Sequence, residues 1–190
     1  MSTLPSPLGF SVLVHSSSFK FNLAHFVTYH TFRERLHGHN YTLSLELFGP
    51  SISSDGYVID FGDVKKVCRS VCKEINEHVI IPEKSDCLDI RPLPSKPDHI
   101  ILTCEDESIF VFPKDDCYFA PIAHSTVEEI SLMLYGKILE GLGAKNLVKR
   151  GIEKIKISLS EAPGQESTVE IPVEEVSKQE RSGGDELGIR

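Results

Sequence analysis

Two histidines one residue apart, His37 and His39 around Gly38, open an alternating stretch that continues through Tyr41, Leu43, Leu45 and Leu47. Residues i and i+2 of a strand point to the same side. Both imidazoles can therefore turn toward one ion, with Gly38 removing bulk between them. A third histidine, His25, closes the preceding alternating row Phe19, Phe21, Leu23. If the two strands pair antiparallel, the chain end at His25 lies beside the chain start at His37. Three nitrogen donors with a vacant fourth position describe catalytic rather than structural zinc. A histidine closing an apolar row is more often a hydrogen-bonded rim residue, and His-x-His alone is a weak signal. The arrival of His25 at the same end favours the metal. His15, His30, His99 and His124 have no partner at ligand spacing and read as surface or loop residues.

Glu161 is the other residue out of place, because it continues the core-facing row Ile155, Ile157, Leu159. It is either the solvated end of a fraying strand before Pro163 or a partly buried carboxylate that receives N–H donors from a ligand. Cys68 and Cys72 lie four apart on an apolar stripe and read as core, cysteine being among the most buried residue types. Cys87, Cys104 and Cys117 show no CxxC pairing.

The elements that must position these groups follow from periodicity. A strand runs from Phe19 to His25, a polar loop covers Thr28–Leu36, and a second strand from His37 ends at Gly49-Pro50. Asp60-Phe61-Gly62 opens a helix whose stripe is Val64, Val67, Cys68, Val71, Cys72 and Ile75, with Pro82 as its limit. A second helix spans Thr126 to Leu142. The insert between them, about residues 83–124, is too long to be structureless. It contains an expected hairpin of His99–Cys104 and Ile109–Phe112. A third strand covers Gly151–Ser160 and a fourth Thr168–Val173. The expected fold is α+β: a four-stranded antiparallel sheet with two helices on its apolar face and an inserted hairpin.

The chain has 190 residues and 21.2 kDa, which fits one domain over residues 1–173 with a charged, disordered tail over 174–190. Residues 1–9 read as a loose lead. Lys+Arg 20 against Asp+Glu 28 gives a net charge of −8, a poor match to nucleic acid or an anionic membrane surface. No apolar run reaches the ~20 residues of a spanning helix, and Leu8–Val14, broken by Gly9 and Ser11, lacks the basic flank of a signal peptide. Five cysteines without a secretory signal point to a reducing, cytoplasmic setting.

Phe21-Asn22-Leu23-Ala24-His25, Leu36-His37-Gly38-His39-Asn40-Tyr41, Gly56-Tyr57-Val58-Ile59-Asp60-Phe61, Ser125-Thr126-Val127-Glu128 and Ser160-Glu161 stand in an order that resembles the 6-pyruvoyl-tetrahydropterin and 6-carboxy-tetrahydropterin synthases. The resemblance covers roughly residues 19–173 outside the insert. It implies the tunnelling fold, homo-oligomers in which trimeric sheets close a barrel and two trimers stack into a hexamer, and active sites between subunits. It implies zinc on His25, His37 and His39, anchoring of a pterin's amino-pyrimidine edge by Glu161, and support of the ring by Thr126, Val127 and Glu128. The implied substrate is 7,8-dihydroneopterin triphosphate, with Lys20, Lys154, Lys156, Arg33 and Arg35 as basic groups available to the triphosphate.

Two departures bear on the reaction. The family's catalytic cysteine belongs to the loop before His-Gly-His, yet Tyr29–Leu36 holds no cysteine, and its one carboxylate is Glu34. That exchange, with Phe32-Arg33-Glu34 and Cys104-Glu105-Asp106, resembles the glutamate variant of malaria parasites, which makes 6-hydroxymethyl-dihydropterin for folate synthesis. Where the family has an Asp-His relay, this chain has Asn76-Glu77 and then His78. The resemblance therefore implies a zinc-dependent lyase, tilted towards side-chain cleavage with Glu34 as base and His78 as a substitute relay. The alternatives are triphosphate elimination, as in a 6-pyruvoyl-tetrahydropterin synthase proper (tetrahydrobiopterin biosynthesis), and a silent pterin-binding homologue.

Overall fold

The computed structural model describes residues 9–173. In chain order its strands and helices are β1 (Phe10–His25), β2 (Thr28–Tyr29), β3 (Phe32–Arg33), β4 (His37–Gly49), α1 (Phe61–Ile75), β5 (His78–Pro82), β6 (Leu88–Leu93), β7 (Lys96–Cys104), β8 (Ile109–Pro113), β9 (Cys117–Ala120), α2 (Val127–Leu142), α3 (Ala144–Lys149), β10 (Lys154–Ala162) and β11 (Gln165–Pro172). The main sheet has six strands in the order β11-β10-β4-β1-β5-β9. Its first four are antiparallel, while β5 and β9 extend the other edge in parallel.

Strand β4 shows why the sheet has one covered face. From Tyr41 onward its odd positions Tyr41, Leu43, Leu45 and Leu47 are buried, and intervening residues lie nearer solvent. Strand β1 starts at Phe10 rather than Phe19. Phe10–His15 already pairs with β4, and a register shift between His15 and Lys20 takes up the serine run. Helices α1 and α2 press Val64, Cys68, Ile75, Ile130, Leu134 and Ile138 onto the sheet's Phe19, Phe21, Tyr41, Leu45, Ile155 and Ile157. Burying each such side chain stabilises the fold by about 1.5–3 kcal/mol. The helices come close at Gly141, where an added Cβ would stand 2.6 Å from Val67 Cγ1.

Asp60 caps α1 by accepting from the Gly62 amide, and Thr126 caps α2 by accepting from Glu129. Helix α1 ends at Ile75, not near Pro82. Asn76 turns extended and accepts the Asn22 amide through Oδ1 at 2.9 Å, and Glu77 adopts φ 63°. The β-branched run Val79, Ile80, Ile81 then forms β5 between β1 and β9. Gly143, at φ 77°, ends α2.

The sequence expectation of four strands, two helices and a hairpin is thus corrected in detail, while the α+β class stands. Two added strands enlarge the sheet, α3 follows α2, and the insert is a three-stranded sheet, β6-β7-β8. Beneath the insert lies a second core of Phe26, Ile81, Leu88, Ile100, Leu102, Cys104 and Cys117. The expected tail, 174–190, and most of the expected lead fall outside the described residues.

Candidate active site

His25 pairs directly with His37 across β1 and β4, and Leu23 pairs with His39. One nitrogen from each of His25, His37 and His39 falls within 4.8 Å of the others. The ring centroids of His25 lie 4.6 Å from His37 and 5.2 Å from His39. Backbone carbonyls set two tautomers. His25 Nδ1 donates to Ser125 O and His37 Nδ1 donates to Arg35 O, each at 2.8 Å. A carbonyl can only accept, so the proton sits on Nδ1 and Nε2 keeps its lone pair for a ligand. His25 Nε2 is buried with no hydrogen-bond partner. Burial, reinforced by His37 and His39, lowers the pKa of His25 and keeps its ring neutral. An orphaned lone pair facing two more imidazoles fits a divalent metal such as zinc.

The start of α2 is locked against this cluster. Ser125 is buried, its carbonyl receives His25, and its hydroxyl donates to Phe26 O at 2.7 Å. Thr126, Val127 and Glu128 follow as the cap and first turn of the helix. Ser131 of α2 hydrogen-bonds Ser167 of β11, which pairs with Leu159. The helix thereby runs over the end of β10 that carries Glu161. A register shift between Ser160 and Ala162 places Glu161 at a bulge, half-buried, beside Tyr41 of β4. The Tyr41 hydroxyl is buried without a hydrogen-bond partner, and its pKa is raised by burial and by the charges of Glu161 and Glu34. Both carboxylates therefore act on the same buried hydroxyl.

Glu34 is held from two sides. Its amide donates to Val27 O, and its Oε2 accepts the Val27 amide, both at 3.0 Å. Val27 lies two residues beyond His25, so the carboxylate stands at the histidine end of β1. Arg33 is engaged within the fold by Asp106, Ser108 and the Glu34 carbonyl. Lys154 pairs with Glu170 and Lys156 with Glu46. Lys20 and Arg35 remain exposed. His78 does not join the three-histidine group; its ring stands edge-on to Tyr118, 6.2 Å between centroids, with Nδ1 buried and without a hydrogen-bond partner. His30, read from sequence as unpartnered, contacts Glu105, Asp86 and Cys87. Sequence patterning missed the Val27 amide and the Ser125 carbonyl. Backbone groups carry no residue-type signal.

The 6-pyruvoyl tetrahydropterin synthase family model matches residues 15–172. The solved 6-pyruvoyl tetrahydropterin synthase of Plasmodium vivax is 43% identical and superposes with a TM-score of 0.83, covering 86% of this chain and 98% of its own. Two further structures of that protein carry alanine or cysteine in place of a catalytic glutamate. The Plasmodium falciparum enzyme gives 40% identity and a TM-score of 0.83 over 87% of this chain and 99% of its own. A Methanocaldococcus jannaschii protein provisionally named a 6-carboxy-5,6,7,8-tetrahydropterin synthase is 25% identical over 154 residues, 77% of this chain and 86% of that protein. Fold and site define a tunnelling-fold pterin enzyme. The chain belongs to the 6-pyruvoyl tetrahydropterin synthase family.

Proposed function

We propose that this chain is a zinc-dependent lyase that cleaves the C1′–C2′ bond of 7,8-dihydroneopterin triphosphate to give 6-hydroxymethyl-7,8-dihydropterin. The observation that carries this reading is the Glu34 carboxylate seated on the Val27 amide, beside the histidine end of β1, in a loop with no thiol. The catalytic glutamate of the P. vivax protein supports it.

Glu161 would accept the paired N–H donors of the amino-pyrimidine edge, a bidentate, charge-assisted contact. Thr126, Val127 and Glu128 would flank the ring. A zinc ion on His25, His37 and His39 would supply Lewis acidity, of the kind that brings a bound water to a pKa of about 7. Glu34 removes the proton of the C2′ hydroxyl. The oxygen's electron pair forms the C2′ carbonyl as the C1′–C2′ bond breaks, and the pair from that bond is taken up by the ring's C6=N5 imine. A proton returned to C1′ completes the hydroxymethyl product, and the departing aldehyde keeps the triphosphate.

Triphosphate elimination would require protons to move at two side-chain carbons. Cys87, whose Sγ lies 3.8 Å from His30 Nδ1 of that loop, donates to Asp86 and is pushed up to about 11 by burial and by that hydrogen bond. Asn76 cannot ionise and is engaged with Asn22. His78 is the remaining candidate relay. Assembly into trimers or hexamers through the open sheet edges β9 and β11 belongs to the same proposal, as does a cytoplasmic setting for a chain with five free cysteines. Among the described residues no helix is long and apolar enough to cross a membrane.

Incubation with 7,8-dihydroneopterin triphosphate, followed by chromatography of both pterins, tests the proposal. The 6-hydroxymethyl product should dominate. Only 6-pyruvoyl product would establish elimination, and bound substrate without turnover would establish the silent homologue.

A further inference from the structure

The insert reaches the loop that carries Glu34 through the turn between β7 and β8. Glu105 in that turn accepts the Thr31 amide at 3.2 Å and pairs with His30 Nδ1 at 2.7 Å. Asp106 Oδ2 accepts Arg33 Nε at 2.8 Å, and Ser108 Oγ accepts Arg33 Nη2 at 2.9 Å. The third arm, Nη1, donates to the backbone carbonyl of Glu34 at 2.8 Å. The guanidinium also lies over Phe110, 5.5 Å from its centroid, and Phe110 stacks on Phe26, the residue after His25. One side chain thus joins the insert to the backbone of Glu34 and, through Phe110, reaches the residue that follows β1.

The loop needs such support. Its strands β2 and β3 are two residues each, joined through Thr31 at φ 69°, and the Tyr29–Phe32 stack is exposed. A two-stranded hairpin is marginal in water without further packing. Asp106 is held below the usual carboxylate range by its hydrogen bonds from Arg33 and the Ser108 amide, so the pair stays ionised near neutrality.

We infer that the insert is a clamp and Arg33 a positioning residue, which together hold the Glu34 carboxylate on the Val27 amide and facing the three histidines. The inference rests on Glu34 being the base. Three coplanar donors on three acceptors cannot be reproduced by lysine, which offers a point charge.

The test compares wild type, Arg33→Lys, Glu34→Gln and the double variant as zinc-loaded enzymes. Each is measured for kcat, KM and hydrogen–deuterium exchange of the Phe26–Leu36 peptide, which contains the Val27 and Glu34 amides. Arg33→Lys should lower kcat by roughly 10–100-fold with KM within about 2-fold, since a ~1 Å misplacement of a reacting group can cost ~100-fold. Exchange in the peptide should quicken. In the Glu34→Gln background the same change should cost less than about 3-fold, because contacting residues that act as a unit are non-additive. If Arg33→Lys fails to fold, Ser108→Ala removes one arm only and should show the same kcat loss and faster exchange at smaller size. A normal kcat and normal exchange in Arg33→Lys, beside a disabled Glu34→Gln, would overturn the clamp and leave the base intact. Fully additive losses would also overturn it, marking Arg33 as a general stabiliser. An undiminished Glu34→Gln would remove the base and the clamp's catalytic purpose together.

Discussion

The Glu34 carboxylate accepts the backbone amide of Val27 at 3.0 Å, which ties it to the strand end that carries His25. That bond involves one oxygen, and Oε1 takes no hydrogen bond among the described residues, so on the proposed mechanism it is the oxygen that accepts the proton. A base in this position must be within about 2.6–3.2 Å of the proton-bearing oxygen, and the neighbouring imidazoles define where a metal-directed alcohol would sit.

Purified protein should contain about one zinc per subunit on neutral imidazoles at ~2.0–2.1 Å. His37→Ala and His39→Ala should lose the metal and all turnover while the helices and sheet remain, as read by elemental analysis and circular dichroism. Full occupancy in His25→Ala, His37→Ala and His39→Ala alike would refute the ligand assignment.

Glu161→Gln should weaken binding of a dihydropterin lacking the triphosphate more than Glu161→Asp does. Glutamine keeps the shape but sets an N–H donor against the ligand's donors and removes the charge. The loss should be ~2–4 kcal/mol, about 30–1,000-fold in affinity. Calorimetric titration of both variants decides it, and equal affinities would return Glu161 to a solvated strand end.

His30 should titrate above its ordinary 6.5, because its hydrogen bond to Glu105 and the charges of Glu105 and Asp86 favour the imidazolium. A raised value in the folded state means the charged tie is complete below pH ~6.5 and is lost as pH rises through the folded pKa. NMR titration of His30 checks this, with Glu105→Gln bringing the midpoint down. A midpoint unchanged by that substitution would contradict the pairing.

The parts of this molecule legible in sequence are those written in local periodicity. Alternation through His37, His39 and Tyr41, with His25 ending the previous row, is enough to place three imidazoles together, because a hairpin needs only its own two strands. The helix starts at Asp60 and Thr126 are legible for the same reason. Strand β5 is hidden because Val79, Ile80 and Ile81 prolong the apolar pattern of α1, and only the extended Asn76 and the left-handed Glu77 separate the two elements. Pro92 disguised β6, which tolerates it as the edge strand of the insert. Glu105 and Asp106, which hold His30 and Arg33, lie more than 70 residues away. Arg33 therefore reads from sequence as a group available to a triphosphate, while in the fold it is hydrogen-bonded to Asp106, Ser108 and the Glu34 carbonyl.

The most direct test of Glu34 as the base is single-turnover cleavage by wild type and Glu34→Gln at equal zinc content, with the 6-hydroxymethyl product quantified across pH. Glu34→Gln should bind the triphosphate-free dihydropterin as wild type does, yet react about 10²–10⁴-fold more slowly, the usual worth of a positioned proton acceptor. Its residual rate should climb with pH as solvent hydroxide takes over the proton. An undiminished rate in Glu34→Gln would contradict the assignment and leave His78 as the group to examine.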